Sequence, residues 1–334
     1  MHISTLPAQH AASARRLRSR VQVGDLFSGA GLFGQAFREC GAELGFAIEM
    51  DPHAVASYAR NVGPHVLVGA VEAMSPPQRV DVLVAGPPCQ GFSTLGRRDP
   101  KDIRNKLCLQ IPRWARSTDA QVVVVENVPP FLLAAQWRTM TRNLRRLGYE
   151  MATWTLDAAD FGVPQHRRRS FTIASRIGLP EAPSPTFRTT AAMVFEAIAP
   201  DDPMQIWPEH SPLASARMRH LPRGGDRRDL MRVVPHLCPP SWYRIGCQAT
   251  DVWGRIDPCA PANTLRCDFQ NPSKGRYIHP QEDRMISLRE GARLQQIPDD
   301  WVLQGHRTAI TRQIGNGVPL GLGRAVARQV LALF

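Results

Sequence analysis

Short apolar runs that end in glycine or proline turns alternate with helix-spaced segments through the first half of this chain. That rhythm restricts it to a parallel sheet with crossover helices, an α/β fold. Residues 21–27 read as a first strand running into a glycine-rich turn. From Leu32 the apolar positions Leu32, Phe33, Ala36, Phe37 and Cys40 recur at helical spacing, and Gly41 can cap the end. Residues 46–49, 80–85 and 122–125 predict three more strands. The last two are almost continuously apolar, as expected of strands covered on both faces. Leu322, Val326, Val330 and Leu333 form one stripe of a closing helix. Residues 180–285 lack clear periodicity and are rich in Pro, Gly and Arg, and the chain is long enough for a second, smaller lobe, though length alone does not decide it.

The 334 residues carry 41 Lys+Arg against 29 Asp+Glu, a formal charge of +12. Only Lys101, Lys106 and Lys274 are lysines, so the charge is mostly arginine. Residues 176–285 hold 14 basic and 12 acidic side chains, so the excess lies elsewhere, around residues 97–116, 138–146 and 167–169. Such a balance points to a polyanion, nucleic acid first, or else to a solvated arginine surface. No window approaches the ~18 apolar residues of a membrane span, which argues against an integral membrane protein. Arg15, Arg16, Arg18 and Arg20 make residues 1–20 a basic tail with no apolar core behind them, unlike a secretory signal. The seven scattered cysteines suit a reducing compartment. Cys238, Cys247, Cys259 and Cys267 are separated by 8, 11 and 7 residues, unlike paired zinc knuckles, so no metal is expected.

The turn Gly29-Ala30-Gly31-Leu32-Phe33-Gly34 fits G-x-G-x-x-G, and Glu49 follows the first glycine by 20 residues. This pattern holds an adenosine and its ribose, with or without a pyrophosphate. Asp25, just before the turn, suits a cationic cofactor and would repel a diphosphate, which weighs against NAD. The strand at 80–85 leads into Gly86-Pro87-Pro88-Cys89-Gln90-Gly91-Phe92-Ser93. A thiol at the C-terminal end of such a strand lies in the crevice where α/β sheets do chemistry, and Arg97, Arg98, Lys101 and Arg104 beyond it would favour the thiolate. Glu126 ends the next strand at the same rim, and Gln165-His166-Arg167-Arg168-Arg169 adds a basic cluster.

Together these strings resemble the cytosine-5 DNA methyltransferase family. Asp-Leu-Phe-Ser-Gly-Ala-Gly at 25–31, Glu49, the Pro-Pro-Cys turn, Arg104-Asn105 with Leu107, Glu126-Asn127-Val128 and Gln165-x-Arg167-x-Arg169 occur in order. Leu288-Arg289-Glu290, Leu294-Gln295, Pro298 and the segment 313–319 complete the match. The resemblance covers residues 21–178 and 285–334. It implies a Rossmann-like S-adenosylmethionine methyltransferase sheet at 21–178 plus 308–334, with a smaller target-recognition domain at 179–307. It also implies that Cys89 attacks carbon 6 of a flipped cytosine, because a thiolate there turns the ring into an enamine-like nucleophile at carbon 5. Glu126 would bind ring nitrogen 3 and the exocyclic amine, Arg167 the ring carbonyl, and Arg169 would brace the site.

For S-adenosylmethionine the resemblance implies Asp25, Phe27, Ser28, Gly29, Ala30 and Gly31 around the methionine part and Glu49 on the ribose. Met50 would lie on the adenine, and Pro87, Leu107, Asn316 and Val318 would complete the wall. Where the family usually reads Gly-Asp-Ile, this chain has Gly69-Ala70-Val71, so the adenine amine loses an aspartate and Glu72 is the candidate substitute. Reaching carbon 5 requires base flipping. Gln90, Ser93, Arg97, Arg98 and Arg104 would close over duplex DNA, with Gln165, Arg228, Thr264, Leu265 and Arg266 as further contacts. Pro261-x-Asn263-Thr264-Leu265 resembles the short Pro/Thr-Leu segment of that region. The implied setting is the bacterial cytoplasm near the nucleoid, as a monomer on DNA, with a restriction endonuclease acting separately. Two alternatives stay open at this level: a tRNA cytosine-5 methyltransferase, and a DNA-binding module without turnover.

Overall fold

The computed structural model describes residues 20–88, 103–245 and 251–334. Strand β1 (Gln22–Leu26) feeds α1 (Leu32–Glu39), β2 (Glu43–Glu49) feeds α2 (Pro52–Asn61), and β3 (Val66–Val68) closes that side. Then come β4 (Val82–Ala85), α3 (Ile111–Thr118), β5 (Val122–Asn127), α4 (Ala135–Arg146) and the pair β6 (Glu150–Asp157) and β7 (Arg168–Ser175). The seven strands lie in the order β3-β2-β1-β4-β5-β7-β6. The first five of that order are parallel, and β7 runs antiparallel to both β5 and β6.

The apolar strands explain the layers. Every residue of β4 and β5 is buried. Because side chains alternate, Val82, Val84, Val122 and Val124 join the core beneath α1 and α2, whereas Leu83, Ala85, Val123 and Val125 join Ile111, Trp114, Met140 and Leu144 of α3 and α4. Each such buried aliphatic side chain contributes about 1.5–3 kcal/mol. Asp51 caps α2, its carboxylate accepting from His53 N.

The region expected to form a smaller lobe, residues 179–307, is built of short elements: α5 (Pro212–Arg219), α6 (Arg227–Val233), α7 (Pro240–Ile245) and α8 (Leu288–Leu294). Trp242, Trp253, Phe269 and Tyr277 belong to the same core cluster as Val82, so its interior is continuous with the α1/α2 side of the sheet. The chain then returns through α9 (Arg307–Asn316) and α10 (Leu320–Leu331). The expected closing stripe is buried at Leu322, Val326 and Val330, with Leu333 beyond the helix end and partly covered. Helix α10 lies against α1 closely enough that a Cβ on Gly323 would stand 2.7 Å from Ala36 Cβ.

Candidate active site

The C-terminal ends of β1, β2, β4 and β5 open on one cavity of about 350 Å³, at the point where the strand order reverses between β1 and β4. The turn after β1 supplies its floor. Gly29 has φ +55° with open space where a Cβ would project, and Gly31 has φ +93° with Tyr58 and Val62 2.7 Å from its Cβ position. Both conformations favour glycine. Gly31 therefore seats the turn on α2 and is absent from the cavity wall, unlike its neighbours Ser28, Gly29 and Ala30. Phe27 is held left-handed at φ 59°, an uncommon state for a bulky residue that tends to occur at functional turns.

The Glu49 carboxylate ties the turn to the end of β2: it accepts from Gly29 N at 2.8 Å, Met50 N at 2.9 Å and Asp51 N at 2.8 Å. A carboxylate offers about four acceptor positions, so one stays open for a hydroxyl. Ser28 Oγ is buried beside the cavity and has no hydrogen-bond partner among the described residues. Asp25 is buried, accepts from Gly34 N at 3.1 Å, and burial pushes its carboxyl up to about 8, with Glu49 adding to the rise. Met50 is exposed on the same wall, and Ala70 and Glu72 line it with Leu107, Asn316 and Val318.

Glu126 occupies the other end. Burial raises its carboxyl above the ordinary range, opposed by Arg169 and Arg167. Arg169 Nε stands 2.9 Å from Glu126 Oε1. Arg167 is fully buried, donating to Leu265 O at 2.9 Å and Gly315 O at 2.7 Å. Both arginines line the cavity, with Arg169 paired to the Glu126 carboxylate and Arg167 joining Leu265 to Gly315 of α9. Asn127, singled out only as part of a motif, donates from Nδ2 to Pro87 O at 3.2 Å and so steadies the turn that precedes Cys89. Pro87 and Pro88 line the cavity. Cys89, Gln90, Ser93, Arg97 and Arg98 lie outside the described residues, and Arg104 falls in the 3-10 helix Ile103–Gln110.

The other expected DNA contacts have partners within the protein. Gln165 is fully buried: its Nε2 donates to Gln295 Oε1 at 3.0 Å and its Oε1 accepts from Leu265 N at 3.0 Å. Leu265 is buried with it. Thr264 Oγ1 donates to His166 O at 2.6 Å, Arg266 pairs with Asp251, and Arg228 pairs with Asp226 at 2.7 Å. Asn316 Oδ1 accepts from Cys267 Sγ at 2.9 Å, a contact with no signal in the sequence. Arg289 and Glu290, both in the matched strings, are buried and pair with Asp202 at 2.6 Å and Arg284 at 2.8 Å. Among the described residues, no group of three His, Cys, Asp or Glu side chains could hold a metal ion.

Residues 21–221 and 230–332 match the family model of the C-5 cytosine-specific DNA methylase. The Type II methyltransferase M1.HphI of Haemophilus parahaemolyticus is 31% identical over 334 residues, covering 92% of this chain and 86% of that one. The Type II methyltransferase M.Eco47II of Escherichia coli is 30% identical over 330 residues, covering 92% and 78%. Among solved structures, the Entamoeba histolytica methyltransferase EhMeth superposes with a TM-score of 0.70 over 94% of this chain and 99% of that one. At 13% identity it speaks for the fold alone.

Proposed function

The chain belongs to the C-5 cytosine-specific DNA methylase family and methylates carbon 5 of cytosine in DNA, and from that premise we propose that Cys89, Glu126 and Arg169 perform the chemistry on a flipped base. The observation that carries this reading is the pair of buried Glu126 with Arg169, 2.9 Å apart, in a cavity also lined by Pro87 and Pro88, the two residues that precede Cys89 in the chain.

The Cys89 thiolate forms a bond to carbon 6, and the ring electrons move to carbon 5 as Glu126 holds nitrogen 3 and the amine. A carboxyl whose affinity for protons is raised by burial suits that hydrogen bond, since it can present a proton to nitrogen 3. Arg169 reaches the ring carbonyl and Arg167 braces the floor, which exchanges the two roles that the sequence resemblance implies. After methylation the carbon 5 proton leaves to solvent, and the sulfur–carbon 6 bond breaks to restore both the thiolate and the aromatic ring.

The residues at the other end fit S-adenosylmethionine, which when bound supplies an electrophilic methyl group on a sulfonium. Ser28 Oγ awaits a partner, the space above Gly29 is open, and Glu49 keeps one acceptor position. Glu49, Asp51 and Glu72 make this half acidic, which suits a cation and disfavours a diphosphate, and Asp25 adds its charge only as pH rises towards about 8. Residues 179–307 form the target-recognition part, joined to the catalytic part through Arg167 and Gln165. A separately acting endonuclease is the expected counterpart, given the Type II designation of the relatives. No described helix is long and apolar enough to cross a membrane.

The test is methyl transfer from S-adenosylmethionine to duplex DNA, its loss in Cys89→Ser, and a covalent adduct on 5-fluorocytosine DNA. Transfer to RNA alone would move the substrate assignment, and tight DNA binding without transfer would overturn the enzymatic one. Bisulfite sequencing of a methylated plasmid then reads out the target.

A further inference from the structure

The arginine excess at residues 138–146 is not absorbed by the reaction just described. It lies on α4, whose sequence Ala-Gln-Trp-Arg-Thr-Met-Thr-Arg-Asn-Leu-Arg-Arg contains no acid. Met140, Thr141 and Leu144 turn inward, and Arg138, Arg142, Arg145 and Arg146 are exposed. Spacings of four, seven and eight residues put these four guanidinium groups on one stripe, about 12 Å long at a rise of about 1.5 Å per residue. Arg138 donates to Leu133 O at 2.9 Å, and none of the four has a carboxylate partner among the described residues. The neighbouring helix α3 adds exposed Arg116, also without one. Nearby acids do not neutralise the stripe: Asp119 is engaged by Arg79 and Arg176, Glu126 by Arg169, and exposed Glu150 forms no ion pair among the described residues.

This arrangement is unfavourable for the helix taken alone. Arg138 with Arg142, and Arg142 with Arg146, are like charges at i,i+4, which oppose helix formation, and only Arg145 and Arg146 gain from the negative end of the helix dipole. A polyanion laid along the stripe would relieve the repulsion. The helix follows β5 after the 3-10 turn Pro129–Leu133, so the stripe begins near the rim that carries Glu126 and runs away from it.

We infer that the α4 stripe binds the phosphodiester backbone of duplex DNA outside the recognition site, a second, sequence-independent contact. It rests on the DNA-substrate reading above. Duplex DNA presents one charge per about 1.7 Å of axis, so a stripe of this length meets several phosphates.

The experiment compares wild type, R142Q/R145Q/R146Q and R142K/R145K/R146K on a labelled 60-base-pair duplex of arbitrary sequence over a salt series. The glutamine variant is expected to bind about tenfold more weakly near physiological salt, with the slope of log K against log[salt] reduced by about 2–3, roughly 0.9 per lost phosphate contact. The lysine variant keeps affinity and slope, because a point charge suffices for a phosphate. Equal binding by wild type and the glutamine variant overturns the inference, and so does a lysine variant as weak as the glutamine one. Methylation of a plasmid at saturating protein, expected to be unchanged in all three, separates the two readings. If wild type itself transfers nothing, the assignment of the reaction fails; if it transfers normally and the stripe is neutral, only this inference fails.

Discussion

Replacing Asp25 by asparagine probes the electrostatics of the proposed cofactor half of the cavity directly. Burial holds the Asp25 carboxyl protonated up to about 8, whereas the unfolded chain releases that proton near 3.8. Between those values the folded state keeps a proton that the unfolded state has lost. Stability from this group is therefore complete below about pH 4 and is lost as pH rises towards about 8. At about 1.4 kcal/mol per pH unit, the loss between about pH 5 and about pH 7 is near 3 kcal/mol. Asp25→Asn retains an oxygen to accept from Gly34 N but cannot ionise. Guanidinium denaturation of both proteins across that range isolates the effect, because every other titrating group is shared and cancels in the difference. The variant should gain about 3 kcal/mol on wild type from the lower to the higher pH. A gap constant to within about 0.5 kcal/mol refutes the reasoning, since the carboxyl would then titrate near its ordinary value. In a companion binding assay, wild type should hold S-adenosylmethionine more tightly as pH rises from about 6 to about 8, and Asp25→Asn should lose that dependence.

Three other substitutions test the opposite half of the cavity and its supports. Arg169→Gln removes a guanidinium 2.9 Å from Glu126, so the carboxyl rises further and the Glu126 limb of the pH–rate profile moves to higher pH. Turnover should also fall by about 10²–10³ in stopped-flow or radiolabel assays, and an unmoved limb would argue against the pairing. Gly315→Ala would put a Cβ 2.6 Å from the Cys267 backbone, and overpacking of that kind costs about 1–3 kcal/mol, visible as a lowered Tm. Gln165→Ala leaves buried Leu265 N without its acceptor, a loss of about 1–3 kcal/mol in denaturant unfolding. Unchanged stability in that variant would argue against the Gln165–Leu265 hydrogen bond as a support of the fold.

Local patterns were legible where burial repeats along the chain. The runs at 80–85 and 122–125 are apolar at every position but Asp81 because two helical layers cover them, and β4 and β5 lie within or extend those runs. The predicted helix from Leu32 was likewise visible in its spacing, and Gly41 follows it with φ +99°. β3 escaped notice because it is three residues long with two exposed, and β6 because its edge position buries only Trp154 fully. Helices α5 to α8 are short and their burial depends on contacts distant in the chain, so no periodicity announced them.

The proposed reacting groups are legible in the chain as residue types at strand ends, a thiol after β4 and a carboxylate ending β5, with a glycine turn after β1 beside them. Which of two arginines faces that carboxylate is not, since Arg167 and Arg169 are interchangeable as letters and differ only in what surrounds them. Folding buries Arg167 against Leu265 O and Gly315 O, carbonyls 98 and 148 residues away, and leaves Arg169 on Glu126. The same holds for Gln165, whose amide is enclosed by Leu265 and Gln295. Spacing selects residue types, whereas the direction of a polar side chain is set by which distant backbone groups would otherwise be buried unpaired.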